Sequence, residues 1–368
     1  MRDPFPIPPI PALTKAIQPW ADYLALPTLP LHIHEIVIIA AFYQFVHGVV
    51  SPAISSRLFP VKYAALGKRK RLSWDVHVVS LVQSTTINTI ALWVILFDDE
   101  LRGMDWQERL WGYDGASGMV QALAAGYFLW DLIMTASHVD IFGLGMLAHA
   151  ISALLVYSFG FRPFVNYYSC NFILWELSSP FLNVHWFFDK LGMTGTKPQL
   201  YNGLALIAMF FSCRLVWGTY QSFLVAKDIW SGLNNKPTLL AAGASSEAYV
   251  NATLPAQYAQ TMQYATESTG VPLWVAAIYV GSNLTLNSLN FYWFFKMIDA
   301  VRKRFDPKQQ EKHAQQSENK TEPAVGATGT DEQAEGVATG VDGDAELKLR
   351  PRRGTLLDGE EAETPPPI

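Results

Sequence analysis

The sequence predicts an all-α, polytopic membrane protein with about seven transmembrane helices, and three observations carry that reading. Half of the 368 residues are hydrophobic and 13% aromatic, while only 16% are charged; a soluble domain carries about 25% charge. Apolar runs of about 20 residues recur, the length a helix needs to cross a bilayer core with its backbone polar groups satisfied internally. Lys and Arg gather in some of the links between these runs and are scarce in others. Together these exclude an ordinary soluble enzyme.

The elements follow in order. The opening MRDPFPIPPIPAL is Pro-rich and lacks the continuous apolar stretch of a cleaved signal. Residues 1–34 therefore read as an N-terminal segment, with the first span acting as the targeting signal. The spans are expected at Glu35–Ser55, Trp74–Phe97, Ser117–Thr135, Ile141–Gly160, Pro163–Phe188, Tyr201–Val225 and Pro272–Ile298. Ser178-Ser179-Pro180 interrupts the fifth and predicts a kink or a broken helix. Residues 35–65 hold the first span and the start of a basic loop, residues 66–305 form the main membrane domain, and residues 306–368 are a tail.

Orientation follows from charge. Arg57, Lys62, Lys68, Arg69, Lys70 and Arg71 link spans one and two and mark that link as cytosolic. The next link, Asp98 to Asp114, has six carboxylates against Arg102 and Arg109 and reads as lumenal. Alternation places the Ala226–Val271 loop, with the glycosylation sequon Asn251-Ala252-Thr253, on the lumenal side. Arg302-Lys303-Arg304 after span seven is again cytosolic in character. The expectation is a lumenal N-terminus and a cytosolic C-terminus.

The net charge of −5 belongs to the tail. Residues 306–368 contain 14 of the 32 acidic and 7 of the 27 basic residues, leaving the body at a net +2. Poor in large apolar residues, the tail reads as disordered, with Thr355 and Thr364 as phosphorylation candidates. Cys170 and Cys213 cannot build a disulfide framework or a four-ligand zinc site, and no metal ligand set or bound cofactor is expected. No P-loop, GxGxxG, GxSxG or HExxH is present. The Lys68–Arg71 cluster reads as a topology signal that also meets anionic lipid, not as a nucleic-acid surface.

Ionisable groups at membrane depth cost about 2.5–3.5 kcal/mol or more and are site candidates by default. His47, Asp75, His77 and His185 lie toward span ends, where headgroups are in reach, and Lys296 is placed to snorkel. The deep ones are Asp131, His149, Glu176 and Arg214. Arg214 with Asp131 or Glu176 makes a neutral buried pair, a structural reading. His149 is either a hydrogen-bonded core residue or a general base that takes a proton from a hydroxyl or amine during acyl transfer. Ser80, Ser84 and Asn88 align at helical spacing, as helix-packing groups or as one face of a cavity.

Four blocks occur in a fixed order: Trp74-Asp75-Val76-His77-Val78-Val79-Ser80, Gly126-Tyr127-Phe128-Leu129-Trp130-Asp131-Leu132, the His149 helix, and Glu176-Leu177-Ser178-Ser179-Pro180-Phe181-Leu182-Asn183. From about Leu66 to Arg304 the chain resembles the TLC-domain family, shared by ceramide synthases, a translocation-associated membrane protein and several lipid-homeostasis proteins. The last block resembles the branch outside the ceramide synthases. The resemblance implies six helices around a central lipid-accepting cavity, preceded by one extra helix. Ceramide synthases carry adjacent histidines in the fourth of these spans and acylate a sphingoid amine from acyl-CoA; Leu147-Ala148-His149-Ala150 has one histidine. The expectation is an endoplasmic-reticulum protein that binds or remodels membrane lipids, with Asp131, Glu176, Arg214 and Ser80 lining its cavity. Two alternatives stand beside it. One is an acyltransferase with His149 as base and acyl-CoA as substrate; the other is a non-catalytic cargo or sorting receptor that meets trafficking partners through its tail.

Overall fold

The computed structural model describes residues 1–235, 261–262, 264 and 271–304, with side chains up to Arg302. Its elements are helical throughout, and no strand occurs among the described residues. Helix α1 is Pro11–Leu24. Helix α2, Leu29–Leu58, contains a π-helical turn at Val46–Val50 just ahead of Pro52. Helices α3, Lys68–Phe97, and α4, Gly115–Ser137, follow. Helix α5, Val139–Phe159, is interrupted at Gly143. After it come α6, Tyr168–Ile173, a 3-10 turn at Leu174–Ser178, and α7, Ser179–Lys190. Helix α8, Lys197–Asn234, has a π-helical stretch at Phe211–Trp217, and α9 is Leu273–Arg304.

Five segments are long and apolar enough to cross a membrane: α2, α3, Trp106–Ser137, α5 and α8. These match expected spans one to four and six, so the chain is an all-α, multi-pass membrane protein. The fifth run is not one span. Pro180 has no N–H to continue a helix, so the chain tightens into the 3-10 turn and restarts at Ser179 with Pro180 in the first turn of α7. The last run is a single helix of 32 residues, in which Asn283, Asn287 and Asn290 dilute the apolar stretch. The sequon at Asn251 and the tail with Thr355 and Thr364 lie outside the described residues.

The acidic link between α3 and α4 has a local structural logic. Asp98 accepts from the N–H groups of Glu100 and Leu101 and caps a short helix, Asp99–Gly103. Asp105 and Glu108 form a reciprocal capping box on Trp106–Trp111. Asp114 caps α4 through the N–H of Ser117 at 2.7 Å. The Met1 ammonium sits 3.0 Å from Asp98, 2.7 Å from Glu100 and 2.6 Å from Asp114. Burial opposes its charge, but these carboxylates outweigh burial and raise the amine to about 11.

Met1–Phe294 makes up one unit among the described residues, and from Phe295 the described chain continues the last helix to Arg304. The centre of the first unit is α4, with 17 of its 23 residues buried. It packs between α2 and α5, while α3 packs on α4, α6 and α7. By contrast α2 and α8 keep large apolar side chains exposed, such as Phe45, Ile54, Leu204 and Phe223, as helices facing lipid do. Close approach of α4 to α2 depends on Gly126: a Cβ there would stand 2.8 Å from the carbonyl oxygen of Ile36 and 3.1 Å from the Ile39 side chain. Gly126→Val is therefore expected to destabilise the bundle by about 1–3 kcal/mol. Gly145→Ala, where an added Cβ meets nothing within 4 Å, should leave the unfolding midpoint of the detergent-solubilised protein unchanged.

Candidate functional site

A guanidinium cannot be buried in an apolar bundle without acceptors, and the surroundings of Arg214 are built to supply them. Arg214 lies in the π-helical stretch of α8 and is 1% exposed. Its Nε donates to Ser178 Oγ at 3.0 Å, Nη1 to Asn290 Oδ1 at 3.0 Å and Nη2 to Ser179 Oγ at 3.1 Å. Glu176 Oε1 lies 3.5 Å from Nη2, and Ser179 Oγ donates to Glu176 Oε2 at 2.8 Å. The guanidinium also stands over the Phe210 ring at 5.0 Å. Glu176 and Ser179 reach one cation because residues three apart lie one above the other through the 3-10 turn and the start of α7, and Ser178 reaches the same cation from beside Ser179.

His149, near the middle of α5, faces this cluster. Its ring lies 5.7 Å from that of Trp293 and 6.3 Å from that of Phe128. His149, Glu176 and Arg214 line one cavity together with Phe128, Phe172, Trp175, Asn283 and Leu286. The cavity measures about 30 Å³, room for about two waters. His149 Nε2 and Trp175 Nε1 are buried without a hydrogen-bond partner. The site thus offers the unused His149 Nε2 beside a neutralised ion pair, within aromatic walls, while Trp175 Nε1 lies against Gly218 of α8. It is much smaller than the lipid-accepting chamber that the resemblance implies, because Phe128, Phe172, Trp175 and Leu286 fill the space between the helices.

Of the residues singled out in the sequence, the structure brings His149, Glu176 and Arg214 together. Asp131 and Ser80 do not line this cavity. Asp131 is buried on α4 beside Thr135. Ser80 belongs to another chain of contacts: Asn183 Nδ2 donates to Ser80 Oγ at 2.9 Å, Asn183 Oδ1 is 2.8 Å from His77 Nδ1, and the His77 ring stacks on Trp186 at 3.9 Å. Asp75 accepts from Ser51 at 2.6 Å and from Tyr63 at 3.0 Å. Sequence reasoning missed Ser178, Ser179 and Asn290 as ligands of Arg214. The signal for them was the cation itself, which needs more acceptors than one carboxylate supplies.

The two halves of the pair keep different partners when separated. Without Glu176 the cation keeps Ser178, Ser179 and Asn290; without Arg214 the carboxylate keeps only Ser179. Arg214→Met is expected to cost about 3–5 kcal/mol. Glu176→Gln leaves a guanidinium that cannot deprotonate and should cost a similar amount, and the double variant should cost less than the sum of the two. Denaturant unfolding in detergent reads all three.

This geometry falls inside a stretch with known relatives. The family model described as the TLC domain matches residues 73–299, which include Asp131, His149, Glu176 and Arg214. An uncharacterized TLC domain-containing protein of Schizosaccharomyces pombe is 37% identical over 293 residues, 80% of this chain and 87% of that protein. Topoisomerase I damage affected protein 4 of Saccharomyces cerevisiae is 28% identical over 282 residues, 75% of this chain and 86% of that protein. TLC domain-containing protein 4 of Homo sapiens is 29% identical over 176 residues, 47% of this chain and 65% of that protein. The chain is a member of the TLC domain family, from the part of it outside the ceramide synthases.

Proposed function

We propose that this protein binds the polar group of a membrane lipid at the His149–Glu176–Arg214 cavity and supports lipid homeostasis of the endoplasmic reticulum. Its N-terminus would face the lumen and its C-terminus the cytosol, as the Lys and Arg distribution indicates. The observation that carries the reading is the buried, unpartnered His149 Nε2 on a residue that lines a cavity inside the membrane body together with Glu176 and Arg214. Buried polar atoms are normally hydrogen-bonded. One left free in a cavity beside a charge-neutral pair suits a guest that brings its own hydroxyl, amide or ester oxygen. The apolar walls suit the carbon next to that group. The cavity has to widen to admit it, and the 3-10 turn and π-helical stretch that frame it are the irregular backbone segments where such a change costs least.

The same free nitrogen also serves the enzymatic reading, in which His149 acts as base for acyl transfer from acyl-CoA to a sphingoid or lysolipid acceptor. Native mass spectrometry of the full-length protein in detergent separates the outcomes. Wild type should retain a lipid adduct, and His149→Ala should retain about tenfold less, as expected for losing one hydrogen bond of about 1.4 kcal/mol. A wild-type protein without adduct, or an adduct indifferent to His149, overturns binding at this cavity. Release of CoA by wild type and not by His149→Ala would assign the chemistry as well.

A further inference from the structure

Outside the matched domain, a second buried cluster forms where the N-terminal segment meets the start of α2. His32 and Glu35 stand one helical turn apart, both 0% exposed. Glu35 Oε1 lies 2.8 Å from His32 Nδ1, and Asp3 Oδ2 lies 3.7 Å from the same nitrogen. One donor atom from each of the three residues lies within 4.8 Å of the others. The other oxygen of Asp3 accepts the N–H of Phe5 at 2.9 Å, which holds the carboxylate in place.

Two carboxylates thus face one imidazole nitrogen. A neutral histidine has at most one proton at Nδ1, enough for one of them. Glu35 Oε2 is buried and accepts no hydrogen bond. Among the described residues no Lys or Arg forms an ion pair with Asp3 or Glu35. Histidine Nε2 is committed elsewhere, 2.6 Å from Tyr113 Oη. That contact turns Nδ1 toward the carboxylates, and if Nε2 carries the ring proton, Nδ1 is left with a free lone pair. The ring fits because residue 118 is glycine; a Cβ there would stand 2.7 Å from His32 Nε2.

We propose that Asp3, His32 and Glu35 form a binding site for one Zn²⁺, with Tyr113 as the outer hydrogen-bond partner that orients the histidine. Tetrahedral zinc holds nitrogen and oxygen ligands at about 2.0–2.2 Å, which places neighbouring donors about 3.3 Å apart and requires only small shifts of this cluster. The imidazole argues against Ca²⁺ and Mg²⁺, and the absence of thiolate or thioether donors from the set argues against Cu⁺. The ion bridges two carboxylates that otherwise have His32 and, at 3.9 Å from Glu35, His34 beside them, and it fastens the segment carrying Asp3 to α2 and to the Tyr113 loop. This site is independent of the lipid reading.

The test uses the full-length protein, purified through a tag without histidines, stripped with chelator and titrated with ZnCl₂ in detergent. Isothermal titration and elemental analysis should give one equivalent of zinc, and the melting midpoint should rise. Asp3→Asn removes the exposed ligand while leaving the buried pair, and should weaken zinc binding at least about tenfold with little change in the metal-free midpoint. Tyr113→Phe should weaken it by about 10- to 100-fold. His32→Ala is not relied on, since it opens a hole in the packing. A wild type that takes up no zinc, an Asp3→Asn variant that binds like wild type, or an equal midpoint rise with Mg²⁺ overturns the proposal.

Discussion

The burial of the Arg214 guanidinium sets the terms for the rest of the membrane body. An uncompensated cation inside such a bundle is destabilising, so every segment within its reach has to turn an acceptor inward. Three segments do so: Ser178 and Glu176 from the 3-10 turn, Ser179 from the start of α7, and Asn290 from α9. The 3-10 turn beside the cavity serves this need. A 3-10 turn sets side chains three residues apart one above the other, where an α-helix offsets them by about 60°, and so keeps Glu176 and Ser179 on one side. The break before Pro180 is thus both a consequence of the missing N–H and the means by which one cation gains several oxygens.

Much of the fold was legible because the bilayer imposes a length and a composition that survive in the sequence. The runs behind α3, α4 and α5 matched within a few residues at most ends. What was not legible came from places where a local rule and a long-range contact act together. The first span was expected to begin at Glu35; α2 begins at Leu29 because Pro30 is well placed in a first turn. That shift matters, since it puts His32 and Glu35 on one helix instead of on two sides of a boundary. Arg214 left two carboxylates open as partners in the sequence, and only the packed turn at Leu174–Ser178 selects Glu176. Trp175 and Asn283 carry no mark of a site in an apolar sequence, since an aromatic or an Asn in a span reads equally well as packing.

The size of the cavity bears on how this family member can act. Its walls are large side chains, Phe128, Phe172, Trp175 and Leu286, contributed by different elements and touching across a space of about 30 Å³. That is room for about two waters, so entry of a guest with an acyl chain requires displacement of these walls. The protein interior resists small uniform expansion because close-packed side chains have few intermediate arrangements. A helix break, by contrast, lets one segment move without disturbing the ladder of its neighbour. The hydrogen-bonded α4 core, with its tight contact at Gly126, is the element least able to yield. Motion is accordingly expected on the side of α7 and α8, where the irregular turns lie.

The energetic asymmetry of the polar atoms points the same way. Ser178, Ser179 and Glu176 are satisfied by one another and by Arg214, whereas His149 Nε2, Trp175 Nε1 and Asn290 Nδ2 are buried and unpartnered. Each such atom costs about 1–3 kcal/mol relative to a hydrogen-bonded state. Placing apolar groups of similar shape at these three positions would remove that cost without disturbing the ion pair, apart from the single bond that Asn290 makes to Arg214. A stable bundle therefore did not require the polar atoms of His149 and Trp175, whereas Asn290 is needed as an acceptor for Arg214. Buried unpartnered atoms also occur elsewhere among the described residues, at His47, Gln83 and Gln221. His149, Trp175 and Asn290 differ in lying near a charge pair and two breaks in helical geometry, which is why the proposed recognition is placed there.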